Sequence, residues 1–312
     1  MENIIVTGAD GFIGSNFIKS LQSKNVKVYA IVHPMSTTKH RLDGLDNVYV
    51  VESDIFALIN HIDSLPQGAD AMYHFAWQGV NALERNDFDI QLRNIDICME
   101  CLRLASKLHV KKFIFPGSTY EYMYCGHPIN ETALPTPQNA YGSVKAALRY
   151  IAAEYAKTLK VEFIYVVIAG IYAADRRDNN VIFYVIDQLL RGEKPKVTKL
   201  EQMWDYVHID DVTEALYLVG EKGRNGGFYA IGKADNQPLY KYIEEIHNYI
   251  DPTLPIGIGE VPYSSDKLPM SCIDLTAIQR DTGFVPKVDF KDGIKEVIDI
   301  MKEEYERDNA NE

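Results

Sequence analysis

Tyr141 and Lys145 stand four residues apart in Tyr141-Gly142-Ser143-Val144-Lys145, behind a loop rich in Pro and Asn (Pro135, Pro137, Asn139). The segment beyond them, Ala146 to Leu159, reads as a helix. Positions i and i+4 of a helix share one face, one turn apart, so the phenol and the ammonium can enter one cleft. A phenol beside a fixed cation ionises more easily, because positive charge favours the phenolate. Such a pair can give or take a proton near neutral pH. The spacing alone is common, and a surface Tyr with a solvated Lys at a helix start would look the same. The weight comes from what lies upstream.

Asn3 to Thr7 is a short apolar run with the character of a buried strand. Gly8-Ala9-Asp10-Gly11-Phe12-Ile13-Gly14 follows at once, and Ser15 to Leu21 continues as a helix. Glycines at 8, 11 and 14 in this context suit a dinucleotide pyrophosphate. The tight turn, the close backbone approach and the helix packing each need a missing side chain, and the helix N-terminus attracts phosphate. A second strand, Val26 to Val32, ends in His33-Pro34. NAD-binding versions carry an Asp or Glu near this point for the ribose 2′-hydroxyl. None stands here. His33, then Lys39, His40 and Arg41 in the loop, suit a 2′-phosphate, so NADP(H) is expected over NAD(H). Spacing does not decide between His40 and Arg41.

Val48 to Val51 forms a third strand, and Ser53-Asp54-Ile55 opens a helix from Phe56 to Ile62. Asp54 is placed either to accept from an adenine amino group or to cap that helix. Ala71 to Phe75 is a fourth strand, running into Ala76-Trp77-Gln78-Gly79, and a long helix covers Asn86 to Leu108. A fifth strand, Lys111 to Phe115, leads into Pro116-Gly117-Ser118-Thr119-Tyr120, and a sixth covers Glu162 to Ile168. This alternation implies an α/β fold, a Rossmann-type doubly wound parallel sheet. Ligands of such sheets bind beyond the carboxyl ends of the strands, where the glycine turn, His33, Phe75, Ser118 and Gly170 all fall. The expected organisation is a dinucleotide-binding domain over 1–173, with 206–222 returning to it. A smaller α/β substrate-binding domain takes 174–205 and 223–312.

A chain of 312 residues can bury a sizeable core. Its net charge of −12 argues against a nucleic-acid partner, which needs a basic face. No run of about 18 apolar residues occurs, so no membrane span is expected. Met1-Glu2-Asn3 leads straight into a strand without a basic leader, which points to a cytoplasmic protein. Cys98, Cys101, Cys125 and Cys272 are too scattered for a disulfide framework and read as reduced packing residues. His74, His109, His208 and His247 lack metal-ligand spacing, so no metal is expected.

Taken in order, the motifs resemble those of one family. They are the Gly8–Gly14 turn, Asp54-Ile55, His74-Phe75-Ala76, Asn94, Ser118, and the pair Tyr141 and Lys145. Further on come Trp204-Asp205-Tyr206-Val207-His208-Ile209-Asp210-Asp211, then Thr282-Gly283-Phe284-Val285-Pro286-Lys287 and Gly293-Ile294. The chain resembles the extended short-chain dehydrogenase/reductase superfamily, in its NAD-dependent epimerase/dehydratase family of nucleotide-sugar enzymes. The resemblance implies that Tyr141 is the catalytic acid/base. Lys145 would hold the nicotinamide ribose and lower the Tyr141 pKa, and Ser118 would polarise the substrate carbonyl, with Thr119 as its stand-in. Gly8, Gly11, Phe12, Ile13, Gly14, Asp54, Ile55, Phe75, Ala76, Pro116 and Ile171 would line the cofactor. Gln78, Thr119, Tyr120 and Trp204 would face a nucleotide-diphosphate sugar. Many relatives pair the two long helices across a homodimer, so a homodimer is expected.

Departures from the family pattern bear on the branch. The 4,6-dehydratases carry an Asp-Glu pair just after the Ser/Thr, where this chain has Thr119-Tyr120, with Glu121 one position late. Epimerases usually retain the acid after the second strand, which is absent here. Trp204 stands where an Arg often contacts substrate phosphate, and Gly170 where Asn is common. Arg176, Arg177, Lys196, Lys199 or Lys267 would have to replace that Arg, or Trp204 would stack on a base or sugar. The resemblance thus implies an NADPH-dependent 4-ketoreductase of a nucleotide-linked 4-keto-6-deoxyhexose. The alternative is an NAD-dependent 4-epimerase, and behind it stand a 4,6-dehydratase and a non-catalytic NAD(P)-binding protein, although such binding proteins typically lose the Tyr or Lys kept here.

Overall fold

Seven short runs, most of them apolar and rich in β-branched and aromatic residues, pair into a single sheet in the computed structural model, which describes residues 1–176, 180–263 and 267–310. They are β1 (Asn3–Thr7), β2 (Lys27–Val32), β3 (Val48–Glu52), β4 (Ala71–His74), β5 (Lys112–Ser118), β6 (Glu162–Ile168) and β7 (Phe228–Ile231). Their order is β3-β2-β1-β4-β5-β6-β7, and every pairing is parallel. The chain winds from β1 out to one edge, then restarts at β4 and winds to the other. The sheet is therefore of the doubly wound Rossmann type, with its crevice where the winding reverses between β1 and β4. Its central strands are covered on both faces, which is why β1, β4 and β6 read as unbroken apolar runs.

Eight α-helices accompany the sheet among the described residues: α1 (Phe12–Ser20), α2 (Phe88–Lys107), α3 (Ala140–Leu159), α4 (Val181–Leu190), α5 (Ile209–Lys222), α6 (Leu239–Ile250), α7 (Thr276–Thr282) and α8 (Phe290–Ala310). Helix α1 packs on α5, and α2 on α3. None of the described helices is long and apolar enough to cross a membrane. Cys98 and Cys101 are fully buried in α2 as free thiols, raised by burial, and they act as packing residues.

Two apolar cores form. The larger surrounds the sheet, and the smaller joins α4, α6 and α8 through Phe183, Ile186, Tyr242, Ile246, Phe290 and Val297. The short strand Tyr206–His208 pairs with Gly170–Tyr172, Tyr206 packs in the smaller core, and α5 lies in the larger one. Two segments expected in the smaller domain lie elsewhere. Phe228–Ile231 pairs with β6 as the sheet's edge strand, and Ile273, Leu275, Ala277, Ile278 and Phe284 pack into the larger core. A four-residue strand carries too little periodicity to declare its partner. The expected α-helix from Phe56 is a 3-10 stretch, Ile55–Ser64, broken at His61.

Candidate active site

Three backbone segments converge at the carboxyl edge of the sheet: the end of β5, the start of α3 and the loop after β4. Asn139 caps α3 by accepting the Gly142 N–H at 2.7 Å, so the helix begins at Ala140 and takes in both Tyr141 and Lys145. A Cβ on Gly142 would lie 2.5 Å from the Tyr120 carbonyl oxygen. Only glycine lets this helix start press against the turn that carries Ser118. That contact sets the Ser118 side chain beside the Tyr141 phenol, close enough to draw its pKa down. Thr119, the alternative to Ser118, is buried in the 3-10 turn behind it.

Lys145 is buried at 4% exposure and donates to the Pro116 carbonyl at 2.7 Å. Its ammonium stands 3.6 Å from the Trp77 ring centroid and 4.7 Å from that of Phe115. Burial brings its pKa down to about 7, against Glu121 and Cys98, which hold it up. Burial pushes the Tyr141 phenol up to about 12, although Ser118 and the Arg85 guanidinium pull it down. Lys145 was expected to make Tyr141 easier to ionise. Instead burial outweighs it, and the phenol keeps its proton at neutral pH. Such a group is a donor to a developing alkoxide.

The loop after β4 is held by two buried amides of α2. Gln91 accepts the Trp77 indole N–H at 3.1 Å and donates to the Gly79 carbonyl at 2.7 Å. Asn94 accepts from the Gln78 N–H at 2.8 Å and donates back to its carbonyl at 3.0 Å. Trp77 then meets Tyr141 edge-on at 5.7 Å. The Gln78 side chain is exposed beside this loop. His74, by contrast, is buried and neutral, its pKa lowered to about 3 by burial, with Nδ1 2.7 Å from Thr7 Oγ1.

The glycine turn after β1 and the loop after β4 lie against each other. Gly8 adopts φ +65°, and a Cβ there would sit 2.6 Å from the Ala76 amide nitrogen, so β1's turn and the Phe75-Ala76 loop touch backbone to backbone. Gly11 opens α1 and offers no side-chain acceptor, which leaves the helix N-terminus for phosphate. Phe12 lies under the Arg176 guanidinium at 4.9 Å, and Arg176 also donates to the Ile171 carbonyl. After β3, Asp54 accepts from the Phe56 N–H at 2.8 Å and so caps the 3-10 stretch begun by Ile55. His33 Nε2 stands 3.5 Å from the Asp54 carboxylate. Lys39 pairs with Glu52 at 2.5 Å, the Arg41 guanidinium reaches the Asp10 carbonyl at 3.5 Å, and His40 is exposed. These residues fit a nicotinamide dinucleotide.

Residues 4–232 match the model of the NAD dependent epimerase/dehydratase family. The chain belongs to this family. It is 30% identical over 225 residues to dTDP-6-deoxy-L-talose 4-dehydrogenase (NAD(+)) of Aggregatibacter actinomycetemcomitans, covering 68% of this chain and 77% of that one. Its fold matches dTDP-glucose 4,6-dehydratase of Bacillus anthracis in complex with NAD, at TM-score 0.82 and 21% identity, with 98% of each chain covered. It also matches UDP-glucose 4-epimerase of Thermotoga maritima with UDP-glucose, at TM-score 0.83 and 23% identity, covering 97% of this chain and 99% of that one.

As a member of the epimerase/dehydratase family, the chain departs from pattern on the substrate side. Trp204 packs on the smaller core, and Gly170 leaves room for its indole: a Cβ there would lie 3.0 Å from Nε1, which has no hydrogen-bond partner. Arg176, one of the residues considered as a phosphate contact, lies beside Phe12 instead, and Arg177 falls outside the described residues. Lys196 and Lys199 are exposed, and Lys267 borders a cavity of about 430 Å³ with Tyr124, Gln202 and Met203. Arg85 escaped the sequence reading. It donates to the Tyr120 hydroxyl at 2.7 Å, and its guanidinium stands 4.6 Å from the Tyr120 ring and 6.0 Å from the Tyr141 ring. No motif surrounds it, so only the fold reveals it.

Proposed function

We propose that the protein reduces the 4-keto group of a nucleotide-linked 4-keto-6-deoxyhexose, with NADPH as cofactor. The observation that carries the reading is the meeting of Ser118 and Tyr141 above a buried Lys145, with no carboxylate pair beside them. Glu121, the one acid of that turn, is fully buried and engaged by the Ser118 N–H and the Tyr165 hydroxyl. Water loss needs an acid and a base at the sugar, and Glu121 faces the wrong way to serve.

A bound nicotinamide dinucleotide supplies the hydride. Ser118 donates a hydrogen bond to the carbonyl oxygen, and Tyr141 delivers the proton as that oxygen becomes an alkoxide. Lys145 holds the ribose side of the site. The similarity to a 4-dehydrogenase of a 6-deoxyhexose supports the same chemistry run in either direction. The absence of an acid after β2 and the position of Arg41 against the glycine turn support the 2′-phosphate. The NAD(+) in that relative's name points the other way, so the assay must include both cofactors. A 4-epimerase would use the same three side chains with a cofactor that stays bound.

The test is a panel of nucleotide-linked 4-keto sugars with NADPH or NADH, followed by absorbance and mass spectrometry. Net oxidation of NADPH with a product two mass units heavier is expected. Interconversion of two hexoses without cofactor consumption would establish the epimerase instead. Tyr141→Phe should retain cofactor affinity and lower turnover by about 10²–10⁴-fold.

A further inference from the structure

Glu121 is 0% exposed, yet an apolar side chain would fill its space without desolvation. Its oxygens show what it does there. Oε1 accepts the Ser118 backbone N–H at 2.6 Å, and Oε2 accepts the Tyr165 hydroxyl at 2.8 Å. The same Tyr165 hydroxyl lies 3.1 Å from the Lys145 main-chain carbonyl. One carboxylate therefore joins the end of β5, the middle of β6 and the turn of α3 that carries Lys145. Gly117 makes room for it: a Cβ there would sit 2.5 Å from Oε1 and 2.4 Å from the Tyr165 hydroxyl.

We infer that Glu121 is a positioning residue, locking the Ser118 turn to α3 and acting as the buried counter-charge of Lys145. The inference rests on the reading of Ser118, Tyr141 and Lys145 as the reactive set. The groups facing the carboxylate agree with it. From α3, Lys145 and Arg149 favour its ionised form, as do Tyr165 from β6 and the Ser118 N–H from its own turn. Burial opposes them and lifts the carboxyl to about 7. In return the carboxylate holds the Lys145 pKa up, and it also raises that of Tyr141. Glu121 touches no reacting atom; it acts through the residues that do.

Two variants separate geometry from charge. In Glu121→Gln the amide oxygen still accepts from Ser118. The amide N–H can donate to the Tyr165 oxygen, while Tyr165 donates to the Lys145 carbonyl, so the scaffold is kept and the charge is lost. Glu121→Val removes both. NADPH binding is measured by quenching of intrinsic fluorescence from pH 5.5 to 9, with melting temperature and turnover on the same samples. Glu121→Gln should melt within a few degrees of wild type. Its binding midpoint, set by Lys145, should move to lower pH by about one unit, the usual size of a nearby-charge effect. Turnover at pH 7.5 should fall about tenfold, and about a hundredfold or more in Glu121→Val, in the range for misplaced catalytic groups. An unmoved binding midpoint in Glu121→Gln overturns the inference. So does a melting loss in Glu121→Val with wild-type turnover per folded molecule. The binding titration needs no sugar substrate, so it stands or falls separately from the ketoreductase reading.

Discussion

Replacing Lys145 with Met should make the protein more stable and nearly inactive. The lysine is buried, donates to the Pro116 carbonyl and faces aromatic rings, and burial outweighs the favourable charge of Glu121. Burial takes its pKa from 10.5 to about 7. That gap corresponds to about 5 kcal/mol, at about 1.4 kcal/mol per pH unit. Met has a similar length and no charge to desolvate, but it leaves the Pro116 carbonyl without its donor, a loss of about 1–3 kcal/mol. The net gain is then about 2–4 kcal/mol below pH 7. Its sign with pH follows from linkage. Below pH 7 folded and unfolded chains both hold the proton, and the whole penalty acts. Between pH 7 and 10.5 the unfolded chain holds it and the folded chain does not, so wild-type stability rises with pH. The advantage of Met therefore shrinks, by about 3 kcal/mol between pH 7 and pH 9. Urea unfolding of both proteins at pH 6, 7, 8 and 9 reads this directly, and turnover on the same samples should fall about 10²–10⁴-fold. A variant less stable than wild type at pH 6, or a difference that does not vary with pH, would refute the picture of Lys145 as a strained buried cation.

Three further outcomes are expected. Gly142→Ala puts a Cβ 2.5 Å from the Tyr120 carbonyl, so it should cost about 1–3 kcal/mol of overpacking strain and lower turnover more than tenfold. A wild-type rate would show that the Ser118–Tyr141 contact does not depend on this approach. Arg85→Met should raise KM for the sugar nucleotide about tenfold, by loss of a charged hydrogen bond, while leaving cofactor affinity unchanged. An equal loss of cofactor affinity would place Arg85 outside the substrate side. Phe88, Leu92, Tyr150 and Ile151 are exposed on the paired helices α2 and α3, a patch suited to a second copy of the chain. Leu92→Glu with Ile151→Glu should convert a dimer to a monomer in light scattering, and a monomeric wild type would contradict that reading.

Most of the sheet is legible because its strands are buried on both faces. β1 and β6 match the boundaries drawn from their apolar runs, and the alternation with helices implies the winding. Tyr141 and Lys145 are legible because helix periodicity is local, and the glycine turn because its backbone demands are local. What sequence could not show is set by tertiary contact. Arg85 and Trp77 reach the site through a loop whose shape is held by Gln91 and Asn94 from the next helix. The direction of the Tyr141 pKa depends on how much water the neighbouring rings exclude, and the Tyr–Lys spacing alone gives the opposite sign. Phe228–Ile231 joins the sheet because β6 has an open edge, a fact about the partner strand.

The same distinction separates the enzyme branches. A count along the chain puts Glu121 one residue beyond the acid of a dehydratase pair, which leaves open whether a small loop shift could bring it to the substrate. The structure gives that shift a cost. The carboxylate is held from two sides by donors of β5 and β6, and turning it outward would strand the Ser118 N–H and leave the Tyr165 hydroxyl only the Lys145 carbonyl. Unsatisfied buried groups of this kind cost about 1–3 kcal/mol each, more than thermal motion supplies. An acid at this position therefore serves the scaffold, which agrees with the proposal that Tyr141 is the proton donor.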